Sequence, residues 1–192
     1  MTALDTFLSL AGAAIAERAT GPAAPVARRI TALLAAPPQP APPRQPARRP
    51  ACAHLPAAIA EMRPDLATAF TALEPLLTWQ SRAFPAAMPG FNDGHANARI
   101  LGPANLEHGG LEQRAGLVAG FSLVAPGITY PDHDHPPEEI YLALSGGAWW
   151  NTETPWHEPG PGGIVHNPPG ILHAMRGTSV PLLAIWFLLP SE

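Results

Sequence analysis

Between Gly127 and Gly146 the chain sets four donor-bearing side chains at short, regular intervals: His133, His135, Glu139 and Tyr141. On an extended backbone, residues two apart leave the same face, which pairs His133 with His135 and Glu139 with Tyr141. Pro136-Pro137 interrupts the ladder between the pairs and lets the strand change direction. Two imidazoles, a carboxylate and a phenol then converge as a donor set for a divalent metal. A further imidazole, His173, closes a second pattern running from Gly162 through Pro168 and Gly170. Such a mixed N/O shell takes zinc or iron first, and manganese, cobalt or nickel as well. Bound to a cation, a phenol loses its proton far more readily than its free pKa of ~10 implies, which would make Tyr141 a base at neutral pH. The same spacing also suits Tyr141 as a core aromatic. Tyr130 stands at the same rim. Trp149 and Trp150 point to opposite faces of a strand, and with Trp156 and Trp186 they offer aromatic surface to a cationic ligand. Arg176, His157 and His166 carry no such pattern, and His95 and His108 lie beside Gly-rich turns where exposure is expected.

The two patterns resemble the two motifs of the cupin superfamily. Gly127, His133, His135, Glu139 and Gly146 fit the intervals of the first motif, and Gly162, Pro168, Gly170 and His173 those of the second. Gly177 replaces the Asn that usually ends motif two. The resemblance implies a small jelly-roll β-barrel with a metal at its mouth. His135, Glu139 and His173 are ligands in that reading, and either His133 or Tyr141 completes the shell.

The elements that must position these groups follow from composition and periodicity. The chain has 192 residues, 46% hydrophobic and 14% charged, with a net charge of −4, which suits one globular domain with added elements and argues against nucleic acid as a partner. All eleven basic residues are arginines, so no lysine supplies a Schiff base or a general base. The lone Cys52 reads as a small buried hydrophobe, and a chain without a secretory signal or membrane span is expected in the cytoplasm. Leu4, Phe7, Leu8, Ala11 and Ile15 predict a helix capped by Thr2; Val26, Ile30, Leu33 and Leu34 predict a second. Seven prolines between Pro37 and Pro50 make an extended strap, and helical periodicity returns from Leu55 to Leu77. Beyond Gly116, short apolar runs between Gly and Pro read as strands: 117–125, 139–144, 148–151, 163–166, 171–176 and 182–189. The expected organisation is mainly β, with a helical cap over residues 1–115 and the metal-binding barrel over 116–192 as one integrated unit.

The run Tyr130-Pro-Asp-His-Asp-His-Pro-Pro-Glu-Glu-Ile-Tyr141, with Gly146-Gly-Ala-Trp-Trp150 and the helical first half, resembles the cupin-type dimethylsulfoniopropionate (DMSP) lyases, in particular their Q-type branch. The resemblance implies metal ligation by His135, Glu139, Tyr141 and His173, with Tyr130 and His133 around the substrate. It further implies elimination of dimethyl sulfide from a small zwitterion, with Tyr141 as base and acrylate as second product. Two rivals stand beside it: another cupin metal enzyme, such as a dioxygenase or sugar isomerase, and a non-catalytic ligand-sensing cupin. Monomer and homodimer are both compatible with the sequence.

Overall fold

Alternation along four strands decides which side chains face the helices and which face the site. In the computed structural model, which describes residues 2–82, 84, 88–103 and 109–190, these strands are β2 (His95–Leu101), β4 (Val118–Val124), β6 (Glu138–Ala143) and β11 (Leu182–Leu189). Ala98, Phe121, Leu142 and Ile185 share one face with the helices, whereas Asn97, Ser122, Glu139, Tyr141 and Trp186 lie on the other and line a cavity. With β1 (Gln39–Pro40), β3 (Glu112–Gln113) and β9 (Ile164–Asn167), they form a seven-stranded sheet in the order β1-β3-β2-β4-β11-β6-β9. The facing sheet has four strands in the order β5-β10-β7-β8: β5 (Thr129–His133), β10 (His173–Arg176), β7 (Ala148–Asn151) and β8 (Thr154–His157). The two sheets make the jelly-roll barrel.

The helices cover the outer face of the larger sheet. Helix α1 (Ala3–Arg18) starts in a capping box: Thr2 accepts from the Asp5 amide at 3.1 Å, and the Asp5 carboxylate accepts from the Thr2 amide at 2.9 Å. Helices α2 (Ala23–Leu34), α3 (Leu55–Ala60) and α4 (Pro64–Leu73) follow, then the single turn α5 (Phe91–Gly94). Phe7 and Phe70 meet Phe121 of β4 edge-on, with ring centroids 5.1 and 5.0 Å away. Each such buried ring contributes ~1.5–3 kcal/mol of hydrophobic stabilisation. Cys52 is buried in this core, as its type suggests. The proline strap is pinned by backbone bonds from Ala47 N–H to Leu77 O and from Trp79 N–H to Ala47 O.

Two features differ from the sequence reading. Sheet structure extends ahead of Gly116: Gln39–Pro40 of the proline strap pairs with β3, and β2, from His95, pairs with β4 along nearly its whole length. In His95-Ala-Asn-Ala-Arg-Ile-Leu101 the core face opens with two small alanines before Ile100 and Leu101, and the cavity-facing Asn97 and Arg99 are polar, so the usual alternation signal is muted. The Gly177 substitution also has a cause: a Cβ there would fall 2.2 Å from the carbonyl oxygen of Ala125, a separation only glycine permits. The neighbouring turn is closed by Gly177 N–H donating to Ile128 O at 3.0 Å.

Candidate metal centre and active site

Three imidazoles are oriented by the same device. The Nδ1 atoms of His133, His135 and His173 lie 2.9 Å from the carbonyl oxygens of Pro131, Pro137 and Ile171 respectively. A carbonyl only accepts, so each Nδ1 carries a proton, and in a neutral ring Nε2 is the bare nitrogen turned the other way. Ligand nitrogens of all three histidines lie within 4.8 Å of one another. Each comes from a different place: His133 ends β5, His173 begins β10 as its cross-strand partner, and His135 sits in the β5–β6 turn. That turn is fastened to motif two by Gly170 N–H donating to His135 O at 2.9 Å, and Gly170 holds φ +71° to do so.

Glu139, wholly enclosed on β6, completes the group. Its Oε2 lies 3.3 Å from Nε2 of both His135 and His173. Nitrogen lone pairs and a carboxylate thus face one another, an arrangement stabilised by a cation or, in its absence, by an added proton. The electrostatics agree. Burial alone would raise Glu139, but hydrogen bonds and charge from His135 and His173 bring it down to about 2. Burial draws His135 down, yet the hydrogen bond and charge of Glu139 outweigh it and hold the ring above its ordinary value. Burial, then the charge of His173, lowers His133 to about 4, so this ring stays neutral and ready to ligate. His173 Nε2 is buried and faces Glu139 Oε2 at 3.3 Å, shut off from solvent. The donor set fits a divalent cation in the mixed N/O class.

Tyr141 lies two residues on along β6 and lines the same cavity, of about 440 Å³. Burial, then the charge of Glu139, pushes its phenol well above the usual range. Tyr130 is buried on β5 with its ring 4.9 Å from that of His133. Burial raises its phenol, opposed by the charge of Arg82 and by hydrogen bonds from Asn97 and Arg82. Of the tryptophans, Trp186 lines the cavity. Gly120 makes room for it, since a Cβ there would sit 2.4 Å from the indole. Trp149 is buried with its centroid 6.3 Å from that of Tyr141, and Trp156 packs under the Arg176 guanidinium at 4.4 Å, away from the cavity.

The structure therefore gathers Tyr130, His133, His135, Glu139 and Tyr141 around one cavity, with His173 beside them in the histidine cluster. His133 falls in the same nitrogen cluster as His135 and His173, and Tyr141 lines the adjoining cavity. His95 reverses its expected exposure: it is fully buried, stacked on Phe91 at 3.8 Å, with Nδ1 bonded to Phe91 O and Nε2 accepting from Arg82 N–H. Both ring nitrogens are satisfied, so burial costs it little. His166 pairs with Glu138 at 2.8 Å, and His108 lies outside the described residues. Sequence reasoning missed the polar lining from β2 and its approach, namely Gln80, Arg82, Asn97 and Arg99, and two asparagines behind Glu139. No local spacing marks these, because strand pairing alone brings them together.

A two-sheet barrel carrying the histidine and carboxylate pattern at these intervals defines the cupin class. Within that class the chain belongs to the dimethylsulfoniopropionate lyase family, carbon–sulfur lyases, whose pattern its residues 23–184 match. It is 33% identical over 142 residues to DMSP lyase DddQ of Ruegeria pomeroyi, covering 68% of this chain and 67% of that protein. A putative DMSP lyase, DddL of Cereibacter sphaeroides, is 37% identical over 78 residues, 40% of this chain and 32% of the relative. The fold is shared with the crystal structure of DddQ from Ruegeria pomeroyi at TM-score 0.74 and 23% identity, over 98% of this chain and 92% of that one. A crystal structure from work on the DMSP lyases RdDddP and RnDddQII gives TM-score 0.76 at 22% identity, over 98% and 93%.

Proposed function

We infer that this chain cleaves dimethylsulfoniopropionate to dimethyl sulfide and acrylate, using a divalent cation held by His135, Glu139 and His173 with His133 or Tyr141. The observation that carries the reading is the convergence of three imidazole nitrogens, each freed by a backbone carbonyl behind it, on a buried carboxylate. A cation bound there would supply a Lewis acid for the substrate carboxylate and would favour the phenolate of Tyr141.

Tyr141 takes the proton from the substrate carbon next to the carboxylate. The electron pair of that C–H bond becomes the new C=C bond, the C–S bond breaks, and dimethyl sulfide leaves with the sulfur pair as a neutral molecule. No acid is needed for the leaving group. Trp186 offers the sulfonium an aromatic face without neutralising it. Tyr130, fixed by Asn97 and Arg82, and neutral His133 shape the wall against which the substrate rests. The buried setting of Tyr141 excludes water, so the phenolate meets the substrate in place of solvent.

Tyr141→Phe tests the assignment. The ring and its packing stay while the proton-accepting oxygen goes, and loss of a general base costs about 10²–10⁴-fold in rate. Variant protein restored to wild-type metal content should keep its circular dichroism and lose turnover on this scale. Near-wild-type dimethyl sulfide release from it would transfer the base role to Tyr130 or His133.

A further inference from the structure

Behind Glu139 runs a chain of side-chain amides whose polarity can be followed from its far end. Asn151 ends β7, buried, with Oδ1 3.0 Å from Glu153 N and 2.8 Å from Thr154 N. Backbone N–H groups only donate, so this atom is the amide oxygen and Nδ2 points the other way. There Nδ2 meets Oδ1 of the buried Asn167 at 3.2 Å. Asn167 is thereby turned so that its own Nδ2 donates to Glu139 Oε2 at 3.1 Å, the same oxygen that faces His135 and His173. Strand register explains the arrangement. Asn167 is the cross-strand partner of Glu139 between β9 and β6, and Asn151 is that of His173 between β7 and β10. The bond between the two asparagines therefore crosses from the smaller sheet to the larger one beside the ligand cluster.

We propose that Asn151 and Asn167 are positioning residues. Together they form an amide relay, anchored in the β7–β8 turn, that aims the Glu139 carboxylate at the histidines and so sets the affinity for the cation. The relay rests on the cation reading of the site. Without the Asn167 donor, Oε2 loses the bond that fixes its rotamer, and the carboxylate can turn away from the two Nε2 atoms. Partners of this kind typically govern 10- to 100-fold in metal affinity.

Asn151→Asp is the sharper variant. An aspartate keeps both acceptors for the turn N–H groups, so the β7–β8 turn retains its bonds. Toward Asn167, however, it only accepts. The Asn167 amide must then rotate to donate to it, and presents its own oxygen to Glu139, acceptor against acceptor. Asn167→Leu fills the same volume with no donor at all. Zinc affinity of each purified variant is measured by competition with a chromophoric chelator at neutral pH, beside thermal melting of the metal-free protein. The relay predicts affinity about 10- to 100-fold weaker in both variants, with both metal-free proteins folded and melting cooperatively above the assay temperature. Wild-type zinc affinity in both variants overturns the relay while leaving the cation site intact. Weaker affinity accompanied in both variants by a metal-free form that is unfolded at the assay temperature assigns the asparagines to the fold alone and also overturns it. Wild-type protein that binds no zinc overturns the cation reading, and the relay with it.

Discussion

His133 gives the metal-free protein a specific dependence on pH. Its ring is packed against Tyr130 and His173, and burial lowers it to about 4 from an ordinary 6.5. Between these two values the unfolded chain binds a proton that the folded protein refuses, so stability rises with pH across the interval. The full contribution is present above 6.5, lost as pH falls toward 4, and amounts to at most ~3 kcal/mol. His135 works in the opposite sense. Glu139 raises it above 6.5, so its contribution is present at lower pH and lost as pH rises through the folded value. The two overlap in the wild-type curve, and a variant is needed to separate them. His133→Asn places an amide donor where Nδ1–H reaches Pro131 O, and removes the titrating ring. Urea unfolding of chelator-treated wild type and variant, followed from neutral pH down to about 4, should show the wild type losing ~2–3 kcal/mol more than the variant. Parallel stability curves would refute the idea that a part-buried, neutral His133 sets the acid limb.

Elemental analysis should find one divalent metal per chain in wild-type protein and a loss of that metal in His135→Ala and in His173→Ala; stoichiometric metal in both would overturn the ligand set. A chain starting at Gly116 should aggregate and bind a hydrophobic dye. It lacks β2 and exposes Phe121, Ile140, Leu142, Ile185 and Phe187, which the helices and strap otherwise cover. A soluble, active chain of that length would show that residues before Gly116 are dispensable to the barrel.

What was legible in the sequence was whatever depends on neighbours along the chain. The motif spacing places His133, His135 and Glu139 because a strand, a Pro-Pro turn and a second strand fix their relative directions locally. The Thr2 cap and the run Leu182–Leu189 are of the same kind, and both appear where the residues suggest. The rest depends on pairing between distant strands. Strand β2 escaped notice because its inward residues serve a cavity rather than a core. His95 was misread because the turn beside it folds back and lays Phe91 over its ring. Strand β5, expected as the extended backbone carrying His133, holds Pro131 and Asp132, residues rare in strands, because it lies at the edge of its sheet. Asn151 and Asn167, sixteen residues apart, meet only when the two sheets close, and Asn167 stands at a position inside motif two that the motif does not specify.

The most direct measurement is headspace detection of dimethyl sulfide, with acrylate followed in solution, from purified protein given dimethylsulfoniopropionate. The assay is run on chelator-stripped enzyme and again after a divalent metal is restored. Cleavage of dimethylsulfoniopropionate at a bound cation requires equal amounts of the two products from the restored enzyme, and loss of both on stripping. Restored protein with a full complement of metal that releases neither product would contradict it, as would stripped protein that turns over at the same rate.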